Sequence, residues 1–207
     1  MLSALQRTVL AVLGPLDASA SFALAGGAAL IVLGVVDRTT RDLDLFTAES
    51  LHVTTLHAAL TSGLVERGLA VTVISAAEMF LRLEVRDPSS DERIEVDLGV
   101  DVRMAEPVTT EVGRVLSIDE LAADKMLALY GRAELRDFLD VADLLARFSR
   151  ERLIALAVAK DAGFTLTRFA ESLAALHRFP DADWEAHGAE RERIARAFDD
   201  WRTTITE

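Results

Sequence analysis

The sequence predicts an α/β fold: a small mixed sheet with flanking helices over residues 1–112, then a helical C-terminal lobe over residues 113–207. Three observations carry this. Phe22-Ala-Leu-Ala25 reads as a short apolar strand and Gly26-Gly27 as a tight turn. Ala28 to Gly34 reads as a short apolar helix, returning through Val35-Val36 to a second strand around Asp42-Leu-Asp-Leu-Phe46. Further on, Leu81, Leu83 and Val85 alternate with Arg82, Glu84 and Arg86. After a turn at Asp87–Glu92, Ile94, Val96, Leu98 and Val100 alternate on the way back, which is the pattern of a hairpin. From about Val115 the spacing becomes helical, and no strand-like run follows.

The remaining elements follow in chain order. Residues 2–18 read as an amphipathic helix with Leu2, Leu5, Val9, Leu10 and Leu13 on one side. A second helix is expected from about Ser50 to Arg67, with Leu51, Leu56, Leu60 and Leu64 as its buried stripe and Gly68 as its stop. The β-branched run Ala70–Ser75 reads as a strand. Pro107 and Gly113 interrupt the pattern between the lobes. Ser117-Ile-Asp-Glu120 is a capping box that starts a helix running to about Tyr130. Helices near 134–147, 149–162, 165–177 and 183–204 complete the chain, with Trp184 and Trp201 as packing anchors.

Composition narrows the function. With 51% hydrophobic and 27% charged residues, the chain has the make-up of a folded soluble protein. No cysteine is present, which excludes disulfides, thiolate nucleophiles and Cys-ligated zinc. No stretch approaches the roughly 20 apolar residues that span a bilayer, and the first residues lack a signal-peptide pattern. A cytoplasmic location without membrane contact is therefore expected. The net charge of −12 argues against tight non-specific binding of nucleic acid. Arginines cluster at 132/136, at 147/150/152 and at 191/193/196, and solvated helix faces explain them best. The four histidines show no metal-ligand spacing.

Asp42 and Asp44 alternate with Leu43 and Leu45, so one strand puts both carboxylates on one face and both leucines in the core. Carboxylates two apart on a strand sit roughly 6–7 Å from each other. Aimed at one point they can hold a hard cation, and Mg²⁺ also recruits phosphate oxygens. The pair suggests metal-assisted phosphoryl or nucleotidyl transfer. A solvated strand edge is the plain alternative. On the helix that starts at Ser117, Lys125 shares a face with Ile118, Leu121, Ala122 and Leu129. Two readings stand for it: a packed stem whose charge reaches water, or an ammonium held for phosphate. On the returning hairpin strand Glu95, Asp97 and Asp101 read, from alternation alone, as solvent-facing.

Gly-Gly-x-Ala-Leu (26–30) followed by Arg-x-Thr-x-Asp-Leu-Asp-Leu-Phe (38–46) resembles the opening motif of the nucleotidyltransferase superfamily, in the form of its AbiEii/AbiGii-type toxin branch, which includes the MenT toxins. The resemblance continues in Lys125, Arg132 and Arg136-Asp-Phe-Leu-Asp140 and spans about residues 22–145. It implies a nucleotidyltransferase-like sheet and transfer of NMP from an NTP, with two Mg²⁺ ions on Asp42, Asp44 and Asp97. Asp97 then completes the acceptor-side metal, and Lys125 acts as a catalytic phosphate contact. Gly26, Gly27, Arg38, Thr40, Lys125 and Asp140 are the implied nucleotide-binding residues. Asp137 is assigned to pairing with a neighbouring arginine. The first motif has Gly-Gly where many members have Gly-Ser, so by the resemblance either the backbone N–H groups of Gly27 and Ala28 or, instead, the Thr40 hydroxyl replaces the serine. The implied acceptor is the 3′ end of tRNA, with aminoacylation blocked, and a cognate antitoxin is the implied partner. The acidic balance keeps open nucleotidylation (AMPylation) of a protein or a small-molecule hydroxyl, as well as a non-catalytic interaction module on the same scaffold.

Overall fold

The computed structural model describes residues 1–49 and 52–206. The chain divides into two compact units, Met1–Leu121 and Ala122–Glu207.

The first unit is built on a mixed sheet, seven-stranded among the described residues. Its strands are β1 (Ala23–Ala25), β2 (Asp42–Thr47), β3 (Ala70–Ala77), β4 (Phe80–Arg86), β5 (Arg93–Val100), β6 (Val108–Thr110) and β7 (Gly113–Val115). They are ordered β3-β4-β5-β2-β1-β7-β6. The β2–β5 and β1–β7 pairs are parallel and the others antiparallel. The parallel β2–β5 pair sets Asp42 beside Glu95 and Asp44 beside Asp97. Leu43, Leu45, Val96 and Leu98 alternate with these acids and are fully buried, each contributing about 1.5–3 kcal/mol relative to exposure.

Helices α1 (Ala4–Leu13), α2 (Gly26–Val32) and α3 (His52–Glu66) complete the unit, with α1 and α3 lying against each other and against β5. Leu5, Val9, Leu10 and Leu13 of α1 are buried, as are Leu56, Leu60 and Leu64 of α3. Ser50 and Leu51, expected at the start of that helix, lie outside the described residues.

Several boundaries differ from expectation. Helix α1 ends at Leu13 rather than near residue 18, because Pro15 restricts the residue before it and has no N–H to continue the ladder. Gly26-Gly27 is the first turn of α2 rather than a separate turn. The β6–β7 hairpin adds strands where none was read, since three-residue strands are too short to show periodicity. Ser117 Oγ accepts the Glu120 N–H at 3.2 Å, so the expected cap forms. The Glu120 carboxylate is drawn elsewhere, accepting the N–H groups of Met104 and Ala105 at 2.9 and 3.0 Å.

The second unit is helical: most of α4 (Ile118–Gly131), then α5 (Leu135–Leu144), α6 (Arg150–Lys160), α7 (Leu166–Ala174), α8 (Asp181–Ala186) and α9 (Arg191–Thr206). Phe138, Phe169, Phe198 and Trp201 form its aromatic centre, with edge contacts at 5.2–5.3 Å between centroids. The long last helix expected from 183 is split into α8 and α9. The break falls at Gly188, whose φ of +61° is left-handed and ends α8.

Candidate active site

In the first unit the Asp-x-Asp strand meets the start of α2. Gly26 has φ +59°, a conformation that costs any residue with a Cβ. It also leaves room for a neighbour: a Cβ built there would stand 1.8 Å from Asp44 Oδ2. At Gly27 a Cβ would meet Arg38 Nη2 at 3.1 Å and Thr40 Oγ1 at 3.4 Å. The two glycines are thus spaces filled from outside by one carboxylate, one guanidinium and one hydroxyl. Four of the expected residues, Gly26, Gly27, Arg38 and Thr40, are brought together with Asp44. Asp42 stands on the same face of β2, two residues away and half-buried like Asp44.

Gln6 is the residue that sequence reading missed. It is fully buried, and its Nε2 donates to the carbonyls of Thr40 at 3.0 Å and Asp42 at 3.4 Å. Its Oε1 accepts the Ser3 N–H at 2.8 Å, closing a capping box on α1. Ser3-x-x-Gln6 was visible as a helix start. The link from that cap to the Asp strand, 36 residues away, was not.

Asp97 faces Asp44 from β5 and is only 6% exposed, so it is not the solvent-facing acid that alternation alone suggests. Glu95 is exposed, as that reading holds. Arg82, opposite Asp97 on β4, explains the burial. Its Nε donates to Asp97 Oδ1 at 2.8 Å and its Nη2 to Oδ2 at 2.7 Å, while Nη1 lies 3.2 Å from Glu95 Oε2. The Asp97 hydrogen bonds hold the Arg82 pKa well above its usual value, against the opposing effect of burial. The charges of Asp97, Glu95 and Asp42 add to this.

Asp42 and Asp44 suit a hard divalent cation: two half-exposed carboxylates on one face, next to groups that can hold phosphate. Asp97 stands beside Asp44 across the β2–β5 pair, and each of its oxygens accepts one hydrogen bond from Arg82. Among the described residues no group of three His, Asp or Glu side chains is disposed to hold a metal ion.

In the second unit Lys125 and Asp140 form a buried pair, Nζ to Oδ2 2.8 Å, with the lysine side chain 10% exposed and the aspartate fully enclosed. The lysine stem is packed and its ammonium is met by a carboxylate. One helical turn before Asp140, Asp137 accepts from Arg132 Nε and Nη2 at 2.9 and 2.8 Å, the arginine pairing expected for it. Its Oδ2 also accepts the Glu134 N–H and so caps α5. Members of each arginine cluster pair with acids: Arg136 with Glu134, Arg150 with Asp200, Arg191 with Asp181 and Arg193 with Glu190. Their charge is compensated locally, as solvated helix faces would have it.

His52 lies between Ser21 Oγ, 2.7 Å from Nδ1, and Glu49 Oε2, 3.2 Å from Nε2. That contact ties the segment before β1 to α3. No helix among the described residues is long and apolar enough to cross a membrane.

A family model described as nucleotidyl transferase AbiEii toxin, type IV toxin–antitoxin system, matches residues 9–204. A search of the curated proteins found no match. Among solved structures the chain is similar to JHP933 from Helicobacter pylori, with 16% identity and a TM-score of 0.64 over 99% of this chain and 93% of that one. A nucleotidyltransferase from H. pylori, so described provisionally, aligns at 17% identity and TM-score 0.65, over 98% of this chain and 94% of that one. The MenT4 nucleotidyltransferase toxin Rv2826c of Mycobacterium tuberculosis H37Rv aligns at 18% identity and TM-score 0.60, over 97% and 91%. At these identities the three structures speak for the fold.

Proposed function

The chain belongs to the AbiEii nucleotidyltransferase toxin family of type IV toxin–antitoxin systems, and on that premise we propose that it transfers a nucleoside monophosphate from an NTP to the 3′ end of tRNA, blocking aminoacylation. Family membership brings with it an NTP substrate and a cognate antitoxin. The observation that carries the reading is the convergence of Asp44, Arg38 and Thr40 on the Gly26-Gly27 backbone, with Asp42 on the same strand face.

In the proposed reaction the acceptor hydroxyl oxygen forms a bond to the α-phosphorus. The bond from that phosphorus to the bridging oxygen breaks, pyrophosphate leaves and the hydroxyl proton passes to water. Asp42 and Asp44 are the residues that would hold Mg²⁺, which when bound neutralises triphosphate oxygens. Arg38 and Thr40 position phosphate oxygens beside the glycines. Within the second unit, Lys125, its side chain fixed by Asp140, is the group we assign to phosphate contact. Such a centre works by positioning and electrostatics, with little covalent chemistry left to the protein.

The net charge of −12 and the paired arginines favour a second acceptor class, a hydroxyl on a protein or small molecule. One experiment separates the readings: incubation with each labelled NTP, Mg²⁺, total tRNA and cell lysate, with Asp42→Ala as control. Label on tRNA that disappears in the variant is the expected result. Label on protein alone moves the acceptor to a protein hydroxyl. A variant that labels as well as the parent removes the proposed centre altogether.

A further inference from the structure

Asp44, Asp97 and Arg82 stand side by side on three neighbouring strands, β2, β5 and β4. A buried carboxylate needs a compensating cation. In a two-metal centre the second ion serves the acceptor-side carboxylate. Here the cation beside Asp97 is part of the chain: Arg82 meets both carboxylate oxygens in a planar fork at 2.8 and 2.7 Å. We propose that Arg82, clamped by Asp97, takes the place of the second metal ion, so that the centre binds one divalent ion on Asp42 and Asp44 and offers its guanidinium to the acceptor side.

Three features support this. The first is geometry: a fork-to-fork pair is the strongest arrangement open to these two side chains, and Arg is better suited to it than Lys. The pair already compensates the buried Asp97 charge, so a divalent ion there would bring a second cation beside the guanidinium. The second is donor count. A guanidinium has five N–H donors. Asp97 takes two and Glu95 lies within ion-pair reach of a third, leaving two for an incoming oxygen. The third is access: the Arg82 side chain is 39% exposed while Asp97 is enclosed at 8%. The guanidinium, not the carboxylate, is thus the group an acceptor can touch.

The inference rests on the nucleotidyl-transfer reading, and its test distinguishes the two. Mn²⁺ binding is counted by electron paramagnetic resonance in the presence of a non-hydrolysable NTP analogue. The parent chain is expected to hold one Mn²⁺ and Asp42→Asn none. Arg82→Ala, with its fold checked by circular dichroism, is expected to hold two, because Asp97 is released. With the divalent ion held at a level that fills only the Asp42–Asp44 site, transfer by Arg82→Ala should fall about 10²-fold, the usual loss on removing one charge-stabilising donor, and recover as more ion is added. Two ions in the parent overturn the inference and leave the nucleotidyl-transfer reading intact. So does a count that stays at one in Arg82→Ala, or transfer by that variant that is undiminished when only the Asp42–Asp44 site is filled. If the parent binds no ion, or Asp42→Asn binds as the parent does, the underlying reading fails and the inference with it. Should Arg82→Ala not fold, the parent count alone decides.

Discussion

Gly26→Ala separates the space a glycine provides from the backbone freedom it provides. Two effects act at this position. The φ of +59° places an L side chain in the left-handed region, at about 1–2 kcal/mol. The new Cβ would also stand 1.8 Å from Asp44 Oδ2 and 2.7 Å from Asp44 Cγ, where real Cβ contacts begin near 3.0 Å. The carboxylate must therefore retreat by at least about 1.2 Å, the difference between 3.0 and 1.8 Å. A displacement of about 1 Å in a reacting centre can reduce rate about 10²-fold. Gly34 is the matched control: its φ is +64°, but a Cβ there meets nothing within 4 Å. Gly34→Ala should lose about 1–2 kcal/mol in urea denaturation, and Gly26→Ala at least that much. Only Gly26→Ala should lose about 10²-fold in labelled-NTP transfer and weaken Mn²⁺ binding. If it transfers and binds Mn²⁺ like the parent, then Gly26 does not serve to seat Asp44 and the geometric argument is wrong.

Two further predictions concern charge. Asp140→Ala strands the Lys125 ammonium, which is 10% exposed, and should cost about 3–5 kcal/mol in chemical denaturation. Combining Lys125→Met with Asp140→Leu should restore most of that stability without restoring transfer; recovery of transfer would show that the pair is structural alone. Asp87 accepts from the Ser89 hydroxyl and N–H at 2.6 and 2.8 Å, and these bonds lower its pKa below the usual aspartate value. Because the folded value lies below the unfolded one, the unfolded chain binds the proton more readily. The contribution is fully present above about pH 4 and is lost as pH falls through the folded value. NMR carboxyl titration should place Asp87 low and Ser89→Ala should return it towards normal; a value at or above the ordinary range contradicts the turn geometry.

Much of the first unit was legible because its signals are local. Alternation in 42–46, 81–86 and 94–100 determines which side chains face the core, and a period of two survives whatever the strand later pairs with. The glycines and the Asp-x-Asp strand are close in sequence, so their meeting is nearly a consequence of chain connectivity. The helices were harder to bound. The break at Gly188 falls inside a run that stays helical in composition, and only a left-handed residue stops it.

What the sequence determined by itself is the inventory: two acids on one strand face, glycines at the head of a helix, a lysine in an apolar stripe, an Asp pair one turn apart. Tertiary structure decided the partnerships. Arg82 and Asp97 meet only because the β4–β5 register sets them opposite each other, and a one-residue slip would have turned them to opposite faces. Gln6 reaches the Asp42 carbonyl because α1 comes to lie beside the approach to β2. Lys125 finds Asp140, 15 residues away, because α4 and α5 bury both charges together. A buried charge takes the partner that long-range pairing brings to it, and no local pattern encodes that choice.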